Sequence, residues 1–266
     1  MAYDPVRQRV VLFGGETSAG KLGDTWEYTG TTRTWTQRVV AGPSARSYAG
    51  MAYDSVRNVT VLFGGSAGAS IFLGDTWEWN GTTWTQRTPT ASPPIRNFFG
   101  CWWDPVRARV ALFGGEASTI LSDTWDYDGT TWTLRTGLGT APVRAVHSVA
   151  FDTLRQKMVF FGGFNAGALS GTFELGTSWA QPAATTPPTA RYAAAMAYDG
   201  LSGKVLMVGG NSGSGAWSYD GLAWTTLSTS TGTRGWANMV YDSTRSRVIL
   251  FGGYNGTSYL ADTWEY

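Results

Sequence analysis

Residues 10–15 read Val-Val-Leu-Phe-Gly-Gly, an apolar run that stops on paired glycines. The same event returns at 61–65 (VLFGG), 111–115 (ALFGG), 159–163 (VFFGG), 206–210 (LMVGG) and 249–253 (ILFGG). The first glycines of the pairs are spaced by 50, 50, 48, 47 and 43 residues. Self-similarity at such a period decides the fold, because each copy is one unit that cannot bury its own faces alone.

Three further segments keep step. Before each Gly-Gly comes AYD or a variant, ending at Asp4, Asp54, Asp104, Asp152, Asp199 and Asp242. After it comes DTWEY (24–28), DTWEW (75–79), DTWDY (123–127), GTFEL (171–175), GAWSY (215–219) and DTWEY (262–266). A short polar run then closes on Trp35, Trp84, Trp132, Trp179 or Trp224, and the sixth copy lacks this piece. Each segment is short, rich in β-branched and aromatic residues, and bounded by Gly, Pro, Asp or Asn, which reads as a strand. One copy is therefore four antiparallel strands, A (AYD), B (FGG), C (DTWEY) and D (TTWT). Sheets this small must bury one another face to face. Trp26, Trp77, Trp125 and Trp264, with the D-strand Trp set, are expected to fill the seams. Gly-Gly is expected where a side chain would crowd neighbouring backbone.

Composition excludes several classes. Apolar residues make up 42%, enough for a core, so a disordered chain is ruled out. The net charge of +1 gives no field for nucleic acid or anionic lipid. One cysteine, Cys101, allows no internal disulfide, and one histidine, His147, allows no site that needs two. No apolar run is long enough for a membrane helix, and MAYDPVRQRV does not read as a signal peptide. The compartment stays open, with a secreted or cell-surface bacterial setting preferred. The bacterial reading rests on 17 Arg against 3 Lys.

The apolar run on Gly-Gly, the spaced aromatic of DTWEY and the Trp after it resemble the kelch repeat, over the whole chain. The likeness is strongest to bacterial kelch propellers of the galactose-oxidase central-domain type. It implies an all-β, six-bladed β-propeller with four antiparallel strands per blade, the last blade lacking its outer strand. We expect a single domain over 1–266, with repeats near 1–45, 46–95, 96–143, 144–190, 191–233 and 234–266. Galactose-oxidase chemistry is excluded, since copper there needs two histidines and a Tyr–Cys crosslink.

Strand direction alternates, so the B–C and D–A loops share one face. The A–B turns (DPVRQR, DSVRNV, DPVRAR) repeat closely, as turn chemistry should. The B–C loops vary: ETSAGKLG, SAGASIFLG, EASTILS, FNAGALS, NSGSG and YNGTSYLA. Varied loops on a rigid scaffold are where binding sits. An arginine precedes strand A in five copies: Arg46, Arg96, Arg144, Arg191 and Arg234. Forked guanidinium donors match carboxylates, and the resemblance to kelch substrate adaptors of ubiquitin ligases implies acidic-peptide binding, Arg46 and Arg96 first. The alternative is that each arginine pairs within the blade, with Glu16, Glu116 or loop carbonyls. Tyr48, Phe98, His147, Tyr192, Trp236, Asn238, Glu16 and Glu116 complete the candidate ligand-binding set. His147 alone reads as a core residue before a catalyst.

The expected function is a non-enzymatic binding or scaffold module, recognising protein or peptide on the B–C/D–A face around the central channel. Alternatives are a carbohydrate-binding propeller and a purely structural or assembly-forming module. No cofactor, metal site, catalytic residue, nucleic-acid partner or membrane partner is expected. A monomer and an end-to-end oligomer are both compatible with the sequence, as is a Ca²⁺ site built from loop carbonyls. A hydrolase using Glu16 or Glu116 ranks last.

Overall fold

A computed structural model describes residues 1–211, 214–228 and 231–266. Ser212 and Gly213, within the fifth B–C loop NSGSG, lie outside the described residues. The described residues form strands and turns without a helix. The fold class is a six-bladed β-propeller, with three blades in each of two compact units, Met1–Thr136 and Gly137–Tyr266.

In the first unit, the first blade takes β1 (Ala2–Asp4), β2 (Arg9–Thr17), β3 (Gly20–Thr29) and β4 (Thr34–Arg38). The second takes β5 (Gly50–Asp54), β6 (Val59–Gly68), β7 (Ile71–Trp79) and β8 (Trp84–Arg87). The third takes β9 (Gly100–Asp104), β10 (Arg109–Phe113), β11 (Thr124–Tyr127) and β12 (Trp132–Leu134). In the second unit, the fourth blade takes β13 (Ser148–Asp152), β14 (Lys157–Phe161), β15 (Thr172–Leu175) and β16 (Trp179–Ala180). The fifth takes β17 (Ala195–Asp199), β18 (Lys204–Val208), β19 (Ala216–Tyr219) and β20 (Trp224–Leu227). The sixth has three strands, β21 (Asn238–Asp242), β22 (Arg247–Tyr254) and β23 (Tyr259–Glu265). Neighbours in sequence are antiparallel neighbours in every sheet.

The B strands are buried on both faces, which is why they read as continuous apolar runs rather than alternations. Val110, Ala111, Leu112 and Phe113 of β10 are all fully buried. The turn between A and B is held by its aspartate: Asp54 Oδ1 accepts the amides of Val56 and Arg57, both at 3.0 Å. The same bonds recur at Asp104 and Asp242, so the sameness of these turns is turn chemistry.

DTWEY distributes its work residue by residue. Its threonine is an acceptor for the next blade: Trp84 Nε1 donates to Thr25 Oγ1 at 2.8 Å, Trp132 to Thr76 at 3.0 Å and Trp224 to Thr172 at 2.8 Å. Its glutamate binds cations and the next aromatic. Glu78 takes Arg87, Arg57 and the Tyr127 hydroxyl. Its tryptophan departs in part from expectation. Trp26, Trp77 and Trp125 are only half-buried and Trp264 is exposed, each donating Nε1 to the aspartate two residues earlier. The seams are filled by Trp84, Trp132 and Trp224 of the D-strand set, as expected, together with Trp79, Tyr127 and Tyr219, while Trp77 and Trp125 pack partly buried against them. Burying one such ring is worth roughly 4–6 kcal/mol gross. A side chain whose polar end must reach a surface carboxylate stays near the blade edge, whereas the last aromatic of strand C points into the seam.

Both glycines of each pair have positive φ, for example +71° at Gly209 and +108° at Gly210. A Cβ on Gly209 would lie 2.0 Å from the carbonyl oxygen of Arg234, and one on Gly162 2.2 Å from that of Arg191. Only glycine satisfies both constraints.

Candidate functional site

The Gly-Gly carbonyls lead to the arginines. In all five copies Nη1 donates to the first glycine carbonyl eighteen residues ahead: Gly64, Gly114, Gly162, Gly209 and Gly252. Arg46 also forks onto Asp75 at 2.6 and 2.9 Å, Arg96 onto Asp123 at 2.7 and 2.7 Å, and Arg234 onto Asp262 at 2.9 and 2.8 Å. Burial works to raise the carboxyls of Asp75 and Asp123, but hydrogen bonds from the arginine and the indole hold both below the usual carboxylate range. All five arginines are buried, Arg96 completely. Arg46, Arg96, Arg191 and Arg234 are braces inside the blades, with Nε, Nη1 and Nη2 turned to protein acceptors, whereas Arg144 Nε has no acceptor among the described residues. Their carboxylate partners are the DTW aspartates, not Glu16 or Glu116.

Each brace also fixes the backbone on its C-terminal side. In four copies the residue after the arginine pairs its backbone with the residue after Gly-Gly, Ser47 with Ser66, Asn97 with Glu116, Ala145 with Phe164 and Gly235 with Tyr254, and in the fifth Asn211 N–H donates to Tyr192 C=O at 3.0 Å. The second residue after each arginine is in the left-handed region: Tyr48 (φ 60°), Phe98 (56°), Val146 (55°), Ala193 (57°) and Trp236 (63°). In the second unit these residues hand hydrogen bonds from copy to copy, Ala193 N–H to Val146 C=O at 3.0 Å and Trp236 N–H to Ala193 C=O at 2.8 Å. That chain of bonds holds bulky residues in a backbone state they seldom adopt; such strain gathers at functional sites.

In the first unit the result is a half-exposed cluster. The Tyr48 and Phe98 rings lie 4.2 Å apart, Lys21 Nζ sits 4.9 Å over the Tyr48 ring, and the Tyr48 hydroxyl donates to Glu16 at 2.8 Å. Lys21 pairs with Glu16 at 2.6 Å. Burial pushes the Glu16 carboxyl up, but the Lys21 and Tyr48 hydrogen bonds outweigh it and keep Glu16 below its usual range. An anchored carboxylate of this kind does not serve as a general acid. Glu116 is half-buried, and its backbone pairs with Asn97 and Ile120.

In the second unit Tyr192 links Phe164 (5.4 Å) to Trp236 (6.1 Å), both edge-on. A cavity of about 270 Å³ is lined by Trp236, Tyr254, Asn211, Asn255, Thr233 and glycine backbone, with no charged side chain among the described residues. Asn238 is exposed at the start of β21. His147 does not join this surface. It is buried, its ring lies 5.7 Å from that of Phe160, and burial, with a smaller push from the nearby Arg144, lowers its pKa to about 3.

The KLHDC2/KLHL20/DRC7 Kelch-repeats domain model matches residues 1–163. The chain belongs to the Kelch-repeat family. A comparison with curated proteins gave no match. Kelch propellers are generally non-enzymatic modules that mediate protein–protein interaction. In this Kelch chain the sequence reading found the arginines, Tyr48, Phe98, Tyr192 and Trp236, but passed over Asp75, Asp123, Asp262 and Lys21 as their partners. The signal for the aspartates was present: DTW keeps its Asp in every copy except the fourth and fifth, where Gly171 and Gly215 stand. Among the described residues, no group of three or more His, Cys, Asp or Glu could hold a metal ion.

Proposed function

We propose that the chain is a non-enzymatic protein-binding module that recognises its partner through the B–C and D–A loops, with Tyr48 and Phe98 as anchors. The observation that carries this reading is the pair of touching, mutually tilted, half-exposed rings held at left-handed backbone positions beside the closed Glu16–Lys21 pair. Rigid aromatics on a braced backbone give contact area at low entropic cost, and interface energy concentrates in such anchors. The buried arginines are not part of the gripping surface, and the reading carries no preference for acidic partners. A carbohydrate-binding reading is favoured by one feature, the uncharged cavity walled by Trp236 and Tyr254.

One experiment separates the two. Protein partners are captured from cell extract, identified and purified, and their affinity is measured against wild type, Tyr48→Ala/Phe98→Ala and Trp236→Val; a glycan array is run with the same proteins. The double variant is expected to lose about tenfold to a hundredfold in partner affinity while Trp236→Val holds its own. Unchanged affinity in the double variant, or specific hits only on glycans that vanish with Trp236→Val, rejects the protein-binding reading.

A further inference from the structure

Two of the five arginines lack the aspartate that holds the other three. Where the second, third and sixth copies carry Asp75, Asp123 and Asp262, the fourth and fifth carry Gly171 and Gly215. Arg191 is satisfied by other means. Its Nε and Nη2 donate to the carbonyl and hydroxyl of Thr189 at 3.1 and 2.9 Å, Nη1 donates to Gly209 at 2.8 Å, and the Trp217 ring lies 3.9 Å away.

Arg144 has much less. Nη1 donates to the Gly162 carbonyl at 2.5 Å, and the Phe173 ring lies 4.3 Å from the guanidinium. Its Nε is buried without an acceptor in the protein. In the other four copies Nε donates to a backbone carbonyl two or three residues earlier, that of Ser44, Pro94, Thr189 or Thr231, a bond that Arg144 lacks. Only 4% of Arg144 is exposed, and among the described residues it has no salt bridge. Burial lowers its pKa to about 10, so it remains a cation at neutral pH. A buried cation with hydrogens left over and no counter-charge is a costly arrangement that an anion would relieve. The position of the sister aspartates is held here by Gly171, which brings no side chain of its own. A Cβ on Gly171 would meet only Phe173 Cε2 at 3.4 Å and Gln181 Nε2 at 3.5 Å. The Gln181 amide is thus a second donor beside the same space.

We propose that Arg144 binds a small monoanionic carboxylate, which gives the buried Nε its missing acceptor and supplies the counter-charge that Asp75, Asp123 and Asp262 give in the sister blades, with Gln181 as an auxiliary donor. Forked pairing favours a planar two-oxygen anion over a spherical one. The proposal is independent of the protein-binding reading, since its residues belong to the second unit and its ligand is a free ion.

The test uses the full chain at fixed ionic strength, with sodium formate or acetate replacing chloride. Thermal midpoints are tracked as carboxylate is raised, and saturation transfer to the acetate methyl is recorded by NMR. Wild type is expected to show a saturable rise of about 5 degrees, with transfer that formate competes away. Arg144→Leu, which replaces the buried cation with an apolar side chain, should show neither, and Arg144→Lys, which keeps charge without the fork, should bind about tenfold more weakly. A wild type without saturable response to either carboxylate overturns the proposal whatever the variants do. So does a response that survives in Arg144→Leu, or chloride that stabilises as well as acetate.

Discussion

Arg96→Ala unfolds at a denaturant midpoint lower than wild type by the equivalent of about 3–5 kcal/mol. The reason is what the truncation leaves behind. Arg96 is fully buried, forks onto Asp123, and binds the carbonyls of Gly114 (3.0 Å) and Pro94 (3.1 Å). Without it, Asp123 keeps its bond from Trp125 Nε1 but loses its counter-charge, and two backbone carbonyls lose a donor. An arginine that merely awaited a ligand would cost within about 0.5 kcal/mol on truncation, as surface substitutions do. Stability alone therefore distinguishes brace from ligand site. The cycle with Asp123→Asn sharpens it: the double variant should be less destabilised than the sum of the singles by at least about 1 kcal/mol, because the two groups share one interaction. Additive losses from urea titrations of the four proteins would show that the fork contributes nothing. Loss of binding on truncating Arg46 or Arg96 would then report unfolding as readily as a lost contact, so Tyr48 and Phe98 are the cleaner probes.

The fold was legible because its causes are local. VVLFGG is a doubly buried strand closing on a backbone that excludes a Cβ, and both properties are written in adjacent residues. DPVRAR shows its turn in the same way, through an aspartate capping amides two and three residues ahead. The site was less legible because its causes are not local. Arg46 meets Asp75 across 29 residues, and Tyr48 meets Glu16 across 32. No strand or turn periodicity shows a partner 29 residues on in the same copy, or 32 residues back in the copy before. The C-strand tryptophans met expectation only in part for a related reason: residue type alone says bury, whereas the aspartate two places earlier keeps each indole half-buried or, at Trp264, exposed. Comparison between copies recovers part of what was missed. His147, Phe99, Ala49, Ala194 and Ala237 occupy one position, three residues after the arginine, and each packs against the second glycine of its pair. A site that accepts Phe and Ala in sister copies is an apolar site, and that could be read without coordinates.

His147→Phe, carrying the residue of the third copy, should flatten the acid limb of the stability curve. His147 is buried beside the Phe160 ring, and burial first, then the positive charge of Arg144, lowers its pKa from 6.5 to about 3. The unfolded chain binds the proton near pH 6.5 and the folded chain does not until about pH 3. Between those values the unfolded state holds more protons, so stability is fully present above pH 6.5 and falls as the solution is acidified. The slope is about 1.4 kcal/mol per pH unit, or about 3 kcal/mol between pH 6.5 and about pH 4. Buried carboxylates such as Asp75 and Asp123, held low by their arginines, lose their own contribution toward the acid end in both proteins, so they cancel in the difference. Urea midpoints of wild type, His147→Phe and His147→Ala at pH 7, 5.5 and about 4 measure it. Phe adds ring contact where Ala leaves a gap, so the two variants should differ from each other by a constant amount at every pH. Against wild type both should gain steadily as pH falls. Curves that stay parallel to wild type down to about pH 4 would mean that His147 takes up its proton in the folded protein as freely as in the unfolded chain, and that its surroundings are polar rather than the sealed apolar position its sister residues describe.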